Sequence, residues 1–319
     1  MASADALLLR PAPGADYRAK SRLRTAGLTV ALFGVAGAMV ALVANIVAGV
    51  WSGQAGRAAR VPEIDAWSFG LNTAAFGVVK VSIAIVLLGI LRRLWLRVES
   101  VKAALPVLKA APEGPGAVQT GTINTAYGRA TVSSHAPKSL LIHRMARAMW
   151  APSLAMGFMA VAAGLVLAVV QATKVVPDPE LASDLSAWVR GIGFLGEGFL
   201  LSGISFLLGS ILYSLRKGGG EAQESAGVAV HTLRMPTTAK LFVGLMMVGL
   251  MVEIFQFVVY LVTTTFDQST VASYYAWLGP VREAGLGIIL SGIVLALVTI
   301  GNVLGFQFSR IKDIIATGR

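Results

Sequence analysis

Six separate stretches of this chain are apolar over a length that can cross a lipid bilayer, and this feature restricts the fold more than any other. A helix of about 20 residues spans the ~30 Å hydrocarbon core. Apolar runs of this kind are helical because a helix satisfies its backbone polar groups within one segment. The sequence therefore predicts an all-α, polytopic membrane protein, a single bundle of six transmembrane helices over residues 1–319. The predicted spans are 27–51, 67–91, 150–172, 188–215, 241–266 and 277–306.

The composition agrees with a membrane protein. Charged residues make up 13% of the chain, against about 25% in a typical soluble domain. The chain is nevertheless basic, with a net charge of +11. In a soluble protein this charge would suggest nucleic-acid binding, but the sequence contains no recognition module for nucleic acid. Basic residues that flank membrane spans orient the protein and attract anionic lipids. We therefore expect the lipid bilayer and its anionic lipids as partners, and no nucleic acid.

Lysine and arginine are distributed unevenly between the two sides of the predicted bundle. Of the 27, 21 lie in the two termini and in the second and fourth connections. The positive-inside rule places these segments in the cytoplasm, so both termini of this multi-pass protein of the cell (cytoplasmic) membrane are cytoplasmic. Arg282 counts among the few on the outer side. An aromatic belt is expected at the outer interface, formed by Trp51, Trp67, Trp188 and Trp277.

The longest connection, residues 92–149, is predicted to be a flexible cytoplasmic loop. It contains several prolines and glycines and a stretch rich in serine and threonine, which is typical of a linker. The segment is too short for a nucleotide-binding domain, and the chain contains no Walker sequence.

The tetrapeptide Leu-Ser-Gly-Ile occurs twice, at 201–204 and at 290–293. Around it, residues 188–214 align with residues 277–303 without gaps. This similarity suggests three helical-hairpin repeats in the same orientation. Chance similarity among helices rich in leucine and glycine is the alternative interpretation.

Small residues recur at helical spacing on several spans. Such stripes let helix backbones approach closely in lipid, where no hydrophobic force drives association. We interpret them as packing surfaces, which indicate a tight bundle and no particular function. The residues expected at these contacts are Gly37, Gly157, Gly198, Ser202, Gly244, Ser291 and Gly292.

Three ionisable residues lie near the middle of predicted spans: Lys80, Glu197 and Glu253. A charge at that depth costs at least ~2.5–3.5 kcal/mol, so we expect the three side chains to meet inside the bundle. Gln256 and Tyr260 follow Glu253 at steps of three and four residues, on one face of the fifth helix. The sequence thus predicts an intramembrane polar site of five residues.

Two functions are compatible with this site. The leading interpretation is a non-catalytic structural or accessory subunit, or a scaffold of a membrane complex, in which a buried ion pair fixes helix register and Lys80 is a candidate partner of Glu253. The alternative is a small-solute or proton-coupled transporter. Pro152 and Pro280 are expected in first turns, so that no proline interrupts a span, and this favours the structural interpretation. In either case we expect a homo- or hetero-oligomer.

The sequence argues against catalysis and against bound cofactors or metals. It contains no cysteine, which excludes disulfides and thiolate metal sites within the chain. Its three histidines, His135, His143 and His231, lie outside the predicted spans. An intramembrane haem and an activated Ser202 would both lack the imidazole they require. We therefore expect a protein that is not an enzyme and has no catalytic residue, cofactor or metal ligand.

Overall fold

The computed structural model describes residues 17–54, 56–108 and 121–317. It is mostly helical, and six of its helices are long and apolar enough to cross a membrane, as the sequence predicts. In chain order the helices are α1 (Tyr17–Ser52), α2 (Val61–Leu108), α3 (Leu141–Lys174), α4 (Pro179–Ser225), α5 (Thr237–Thr263) and α6 (Gln268–Thr317), with a 3₁₀ turn at Ala58–Arg60 before α2.

The two prolines lie inside helices rather than in first turns. α3 begins at Leu141 and α6 begins at Gln268, about three turns before Pro152 and Pro280 respectively. The sequence expectation fails because a helix continues into polar residues beyond the apolar span. A proline in a helix interior removes one backbone hydrogen bond. α3 and α6 nevertheless continue through these prolines without a break, so neither proline interrupts its span.

α4 is the central helix of the bundle. In its most apolar window 72% of the residues are buried, whereas the share is 17–28% in the other five helices. α4 packs against α2, α3, α5 and α6, while α1 packs against α2. The most extensive contacts join α1 to α2, α3 to α4 and α5 to α6, so consecutive helices form three hairpins. That these hairpins are repeats of one unit stays a prediction.

The main hydrophobic core lies along the second half of α4. Leu207, Leu208 and Ile211 are at most 2% exposed. They form one cluster with Phe242 of α5 and Ile289 of α6. Because most of the α4 surface is buried in this way, the surrounding helices are positioned by their packing against α4.

A three-stranded antiparallel sheet lies beside the bundle. β1 (Gly121–Thr125) and β2 (Gly128–Ser133) form a hairpin, and Gly128 adopts a φ of 122° in its turn. β3 (Val230–Leu233) pairs with β2 and comes from the connection between α4 and α5. The sheet therefore joins two connections that are far apart in sequence.

The connection at 92–149 is accordingly more ordered than the sequence predicts. α2 continues to Leu108, the β-hairpin follows from Gly121, and α3 begins at Leu141. The β-branched threonines and valine of the predicted linker are suited to strands, and β3 supplies a partner that lies outside the segment. Residues 109–120 of the predicted loop lie outside the described residues.

Hydrogen bonds from Gln223 and Arg310 connect the sheet to the helices. Gln223 Oε1 accepts from the N–H of His231 at 2.8 Å, and Nε2 donates to the His231 carbonyl at 3.1 Å. Arg310 of α6 donates to Gln223 Oε1 at 3.3 Å and to the Ala229 carbonyl at 3.2 Å. Burial and the neighbouring Arg310 guanidinium lower the pKa of His231 from its usual value. This network joins α4, α6 and β3 at one end of the bundle.

Candidate functional site: a buried charge cluster

Glu197 of α4 lies at the centre of a buried charge cluster. Its Oε1 is 3.1 Å from Nζ of Lys80 on α2, and its Oε2 accepts a hydrogen bond of 2.7 Å from Nη2 of Arg282 on α6. The Glu197 side chain is 2% exposed, that of Lys80 16% and that of Arg282 24%. In the described structure α2 and α6 make little or no other contact with each other. The Glu197 carboxylate on the central helix therefore links α2 to α6.

Arg282 is held in place by more than its ion pair. Its guanidinium lies 4.1 Å from the ring centroid of Phe194, which is on α4 one turn before Glu197. A cation over an aromatic face is attracted by the negative charge of that face. Arg282 therefore contacts α4 through both a carboxylate and a ring, and these contacts aim its guanidinium at Glu197.

Glu253 of α5 lies beside the cluster but pairs with none of its members. It is 0% exposed, and neither carboxyl oxygen has a hydrogen-bond partner among the described residues. The side chain lies between two glycines. A Cβ at Gly198 would be 2.7 Å from Glu253 Cγ, and a Cβ at Gly285 would be 2.6 Å from Oε1. The two glycines thus create the space that this carboxyl group occupies.

Gln256 and Tyr260 continue the same face of α5 in different surroundings. Gln256 is 0% exposed, and neither its amide oxygen nor its nitrogen has a partner among the described residues. Tyr260 is 1% exposed and packs against Phe194 and Tyr275, with ring centroids 5.6 and 5.3 Å apart. A buried polar group without a partner costs ~1–3 kcal/mol. The buried carboxyl of Glu253 and the buried amide of Gln256 both lower the stability of the fold, so their presence here has to be explained by something other than stability.

The structure brings the predicted residues into one region but pairs them differently from the expectation. Lys80 meets Glu197 rather than Glu253, since the rotation of α4 turns Glu197 toward α2. Glu253 remains within electrostatic range of Lys80, Glu197 and Arg282. Tyr260 belongs to the neighbouring aromatic group. The polar site is therefore an ion-paired triad with an unpaired carboxyl and amide beside it.

Arg282 is a member of the site that was not predicted from the sequence. Its position near the start of the last predicted span led to its assignment to the outer flank. A signal was available, because Leu278, Arg282, Gly285 and Ile289 follow one another at steps of four, three and four. This spacing places Arg282 on the same helix face as residues that are apolar or small. In the structure that face of α6 packs toward α4 and α5.

The seven small residues that were predicted at helix contacts fall into two groups: two of them face no other helix that the structure describes, and five are in contact or buried. Gly244 would place a Cβ within 4 Å of no atom, and Ser291 is exposed and donates to the Gly287 carbonyl at 2.8 Å. No helix in the described part of this chain covers either position, because the buried stripes of α5 and α6 run along other faces. The remaining five face a neighbouring helix or are fully buried: Gly37, Gly157, Gly198, Ser202 and Gly292.

The described residues contain no group of three histidine, cysteine, aspartate or glutamate side chains that could hold a metal ion. Comparison with known proteins gives no match to a family model, to a curated protein or to a solved structure. The geometry of the charge cluster is therefore the evidence from which a function can be inferred.

Proposed function

We propose that this chain is an integral multi-pass protein of the cytoplasmic membrane, with both termini in the cytoplasm, and that it is a proton-coupled transporter of a small solute. Six apolar helices and the concentration of basic residues on one side support the membrane placement. One observation carries the transport proposal: Glu253 is fully buried, has no hydrogen-bond partner among the described residues and lies beside three charged side chains.

In this proposal Glu253 binds the proton. An ionised carboxylate in a dry interior is costly unless it is paired, and Glu253 has no such partner in the described structure. With its proton, Glu253 is neutral, and the two cations and one carboxylate of the triad leave a net charge of one positive unit. Without its proton, Glu253 balances that charge. Exchange of one proton therefore changes the charge that a solute meets at the cluster.

The triad also supplies an element that can move. Glu197 holds Lys80 of α2 and Arg282 of α6 with one carboxylate, and both cations are partly exposed. Loss of one of the two ion pairs would remove one polar contact between α4 and either α2 or α6. Many transporters work by rocking one helix group against another around a fixed site.

The experiment is proton movement in proteoliposomes that contain a trapped pH-sensitive dye, driven by a potassium gradient with valinomycin. A mixture of amino acids, sugars and organic acids is present on both sides, because a coupled transporter moves protons only together with its solute. We expect the wild-type protein to move protons faster than protein-free liposomes do. Glu253→Gln keeps the shape of the side chain and removes its proton exchange, so this variant should fold and lose most of the flux. Glu283→Gln is the matched control, because Glu283 is an exposed carboxylate on α6.

Two outcomes would contradict the transport proposal. One is a wild-type protein, shown to be folded and inserted, whose proton flux equals that of protein-free liposomes. The other is a Glu253→Gln variant with the flux of the wild-type protein. Equal losses in Glu253→Gln and Glu283→Gln would also count against it, because the effect would then not belong to the buried carboxyl.

A scaffold subunit is the second proposal, and a specific observation favours it. Glu197 already has a cationic partner on each side, and such a buried arrangement can fix helix register without any movement. Purification in mild detergent, with identification of the chains that co-purify, tests this function. A partner in fixed stoichiometry, together with no proton flux, would favour the scaffold over the transporter.

A further inference from the structure

A second feature of the bundle is an apolar cavity between α3 and α5. Its volume is about 410 Å³, and its walls come from α3, α4, α5 and α6, from Leu233 at the end of β3, and from Met235 and Pro236 after it. Four methionines line it, and methionine adapts its shape to flexible apolar ligands: Met145, Met235, Met246 and Met247. None of the charge-cluster residues contributes to this lining. The cavity is therefore separate from the site described above.

Arg216 is the fixed positive charge of this apolar lining. The described residues provide no ion-pair partner for it, and its Nε is buried without a hydrogen-bond partner. His143, the other ionisable group of the lining, uses Nδ1 to accept a hydrogen bond from the Leu140 N–H at 3.2 Å. An unpaired guanidinium beside an apolar cavity is complementary to a ligand with an anionic head and an apolar chain.

The length and depth of the cavity match one leaflet of a bilayer. Along α4 its lining extends from Ser205 to Arg216, which is about 16 Å at a rise of ~1.5 Å per residue. Half of a hydrocarbon core of ~30 Å is about 15 Å. Arg216 follows Trp188, a residue of the expected outer belt, by about 42 Å of helix. A membrane with its headgroups is about 40–45 Å thick, which places Arg216 at the cytoplasmic headgroups.

The cavity opens toward the side of the bundle. Leu141 and Met145 of α3 are 65% and 49% exposed, and Met247 of α5 is 46% exposed. These residues lie on the two helices that border the opening. In the proposed membrane placement Met247 lies within the predicted span 241–266, at the level of the acyl chains, while Leu141 and Met145 lie before the span 150–172, toward the headgroups of the cytoplasmic leaflet. A lipid of that leaflet can therefore enter with its chain first.

We propose that this cavity binds one acyl chain of an anionic phospholipid from the cytoplasmic leaflet, with the lipid phosphate beside Arg216. The proposal rests on the membrane placement proposed above and does not depend on proton transport. Site-directed labelling of the two faces of the membrane tests that placement separately. A correct topology without lipid selectivity would therefore remove only the cavity proposal.

The test is lipid binding to delipidated full-length protein, counted by native mass spectrometry. The probes are phosphatidylglycerol and phosphatidylcholine with identical acyl chains. We expect phosphatidylglycerol to bind about fivefold more tightly, the preference of roughly one basic residue at an anionic headgroup. Arg216→Gln should bring the preference close to one. Lys217→Gln is the matched control, because Lys217 is adjacent in sequence but lies outside the lining and pairs with Glu221.

A second variant tests the cavity rather than the charge. Ala239 lines the cavity and is 6% exposed, so Ala239→Phe should fill part of the space and weaken the binding of both lipids several-fold. The proposal is overturned if Arg216→Gln keeps the preference of the wild-type protein, if Lys217→Gln loses it equally, or if Ala239→Phe binds both lipids as well as the wild type. If Arg216→Gln does not give folded protein, the Ala239→Phe result decides.

Discussion

Removal of the Glu197 carboxylate should be the most destabilising single change in the charge cluster. Glu197→Gln leaves Lys80 and Arg282 without their anion while both side chains remain mostly buried. At the observed distances of 3.1 and 2.7 Å, the two attractions are about 5 and 6 kcal/mol for an effective dielectric constant of ~20. Partial hydration of the freed cations offsets part of this loss. We expect a net cost of about 3–5 kcal/mol, as for other buried pairs that lose one partner.

The assay is equilibrium unfolding in mixed micelles at increasing mole fractions of dodecyl sulfate, followed by circular dichroism. Glu253→Gln is the internal comparison, because Glu253 has no ion pair within the described part of the chain and its replacement should cost under about 1 kcal/mol. In a Lys80→Met/Arg282→Met background, Glu197→Gln should lose most of its effect, since no cation remains to be left unpaired. If Glu197→Gln costs no more than Glu253→Gln, the ion pairs do not hold the helices together and this reasoning is wrong.

Three further predictions concern packing, pH and topology. Gly157→Ala should cost about 1–3 kcal/mol, because its Cβ would lie within 2.8 Å of the α4 backbone, whereas Gly244→Ala should stay within ~0.5 kcal/mol in the same unfolding assay. The pKa of His231 in the folded protein is lower than its usual value of 6.5, so below pH 6.5 the unfolded protein binds more protons than the folded protein does. The free energy of unfolding should therefore be highest above pH 6.5 and decrease as the pH falls below that value. His231→Gln should flatten that part of the pH profile, and an unchanged profile would contradict the assignment. An impermeant thiol reagent applied from outside should label Val176→Cys and not Ser134→Cys in this cysteine-free chain; the reverse pattern would invert the proposed orientation.

The number and positions of the long helices could be predicted from the sequence alone. Hydropathy is a local property, and a run of some 20 apolar residues has few alternatives to a helix. For the same reason the deep positions of Lys80, Glu197 and Glu253 were visible in the sequence. The extensions of the helices beyond the apolar runs were not visible, since polar residues continue a helix without a hydropathy signal.

The three-stranded sheet could not be predicted from local sequence patterns. β1 and β2 have β-branched residues, but their partner β3 is a four-residue segment that comes directly after α4, far from β2 in sequence. Its place is fixed by Gln223, which bonds both backbone groups of His231. Such a side-chain contact depends on where α4 ends in space, and no periodicity in the sequence encodes it.

The pairing inside the charge cluster was decided by tertiary structure. Hydropathy and helical spacing place a charged residue at a depth and on a face, but they do not say which partner it meets. That choice depends on the rotation and register of whole helices, which close packing at Gly198 and Gly285 sets to within a few ångströms. A carboxylate pairs only over such short distances, so the same packing that gives Glu197 two cations leaves Glu253 without a partner among the residues that the structure describes.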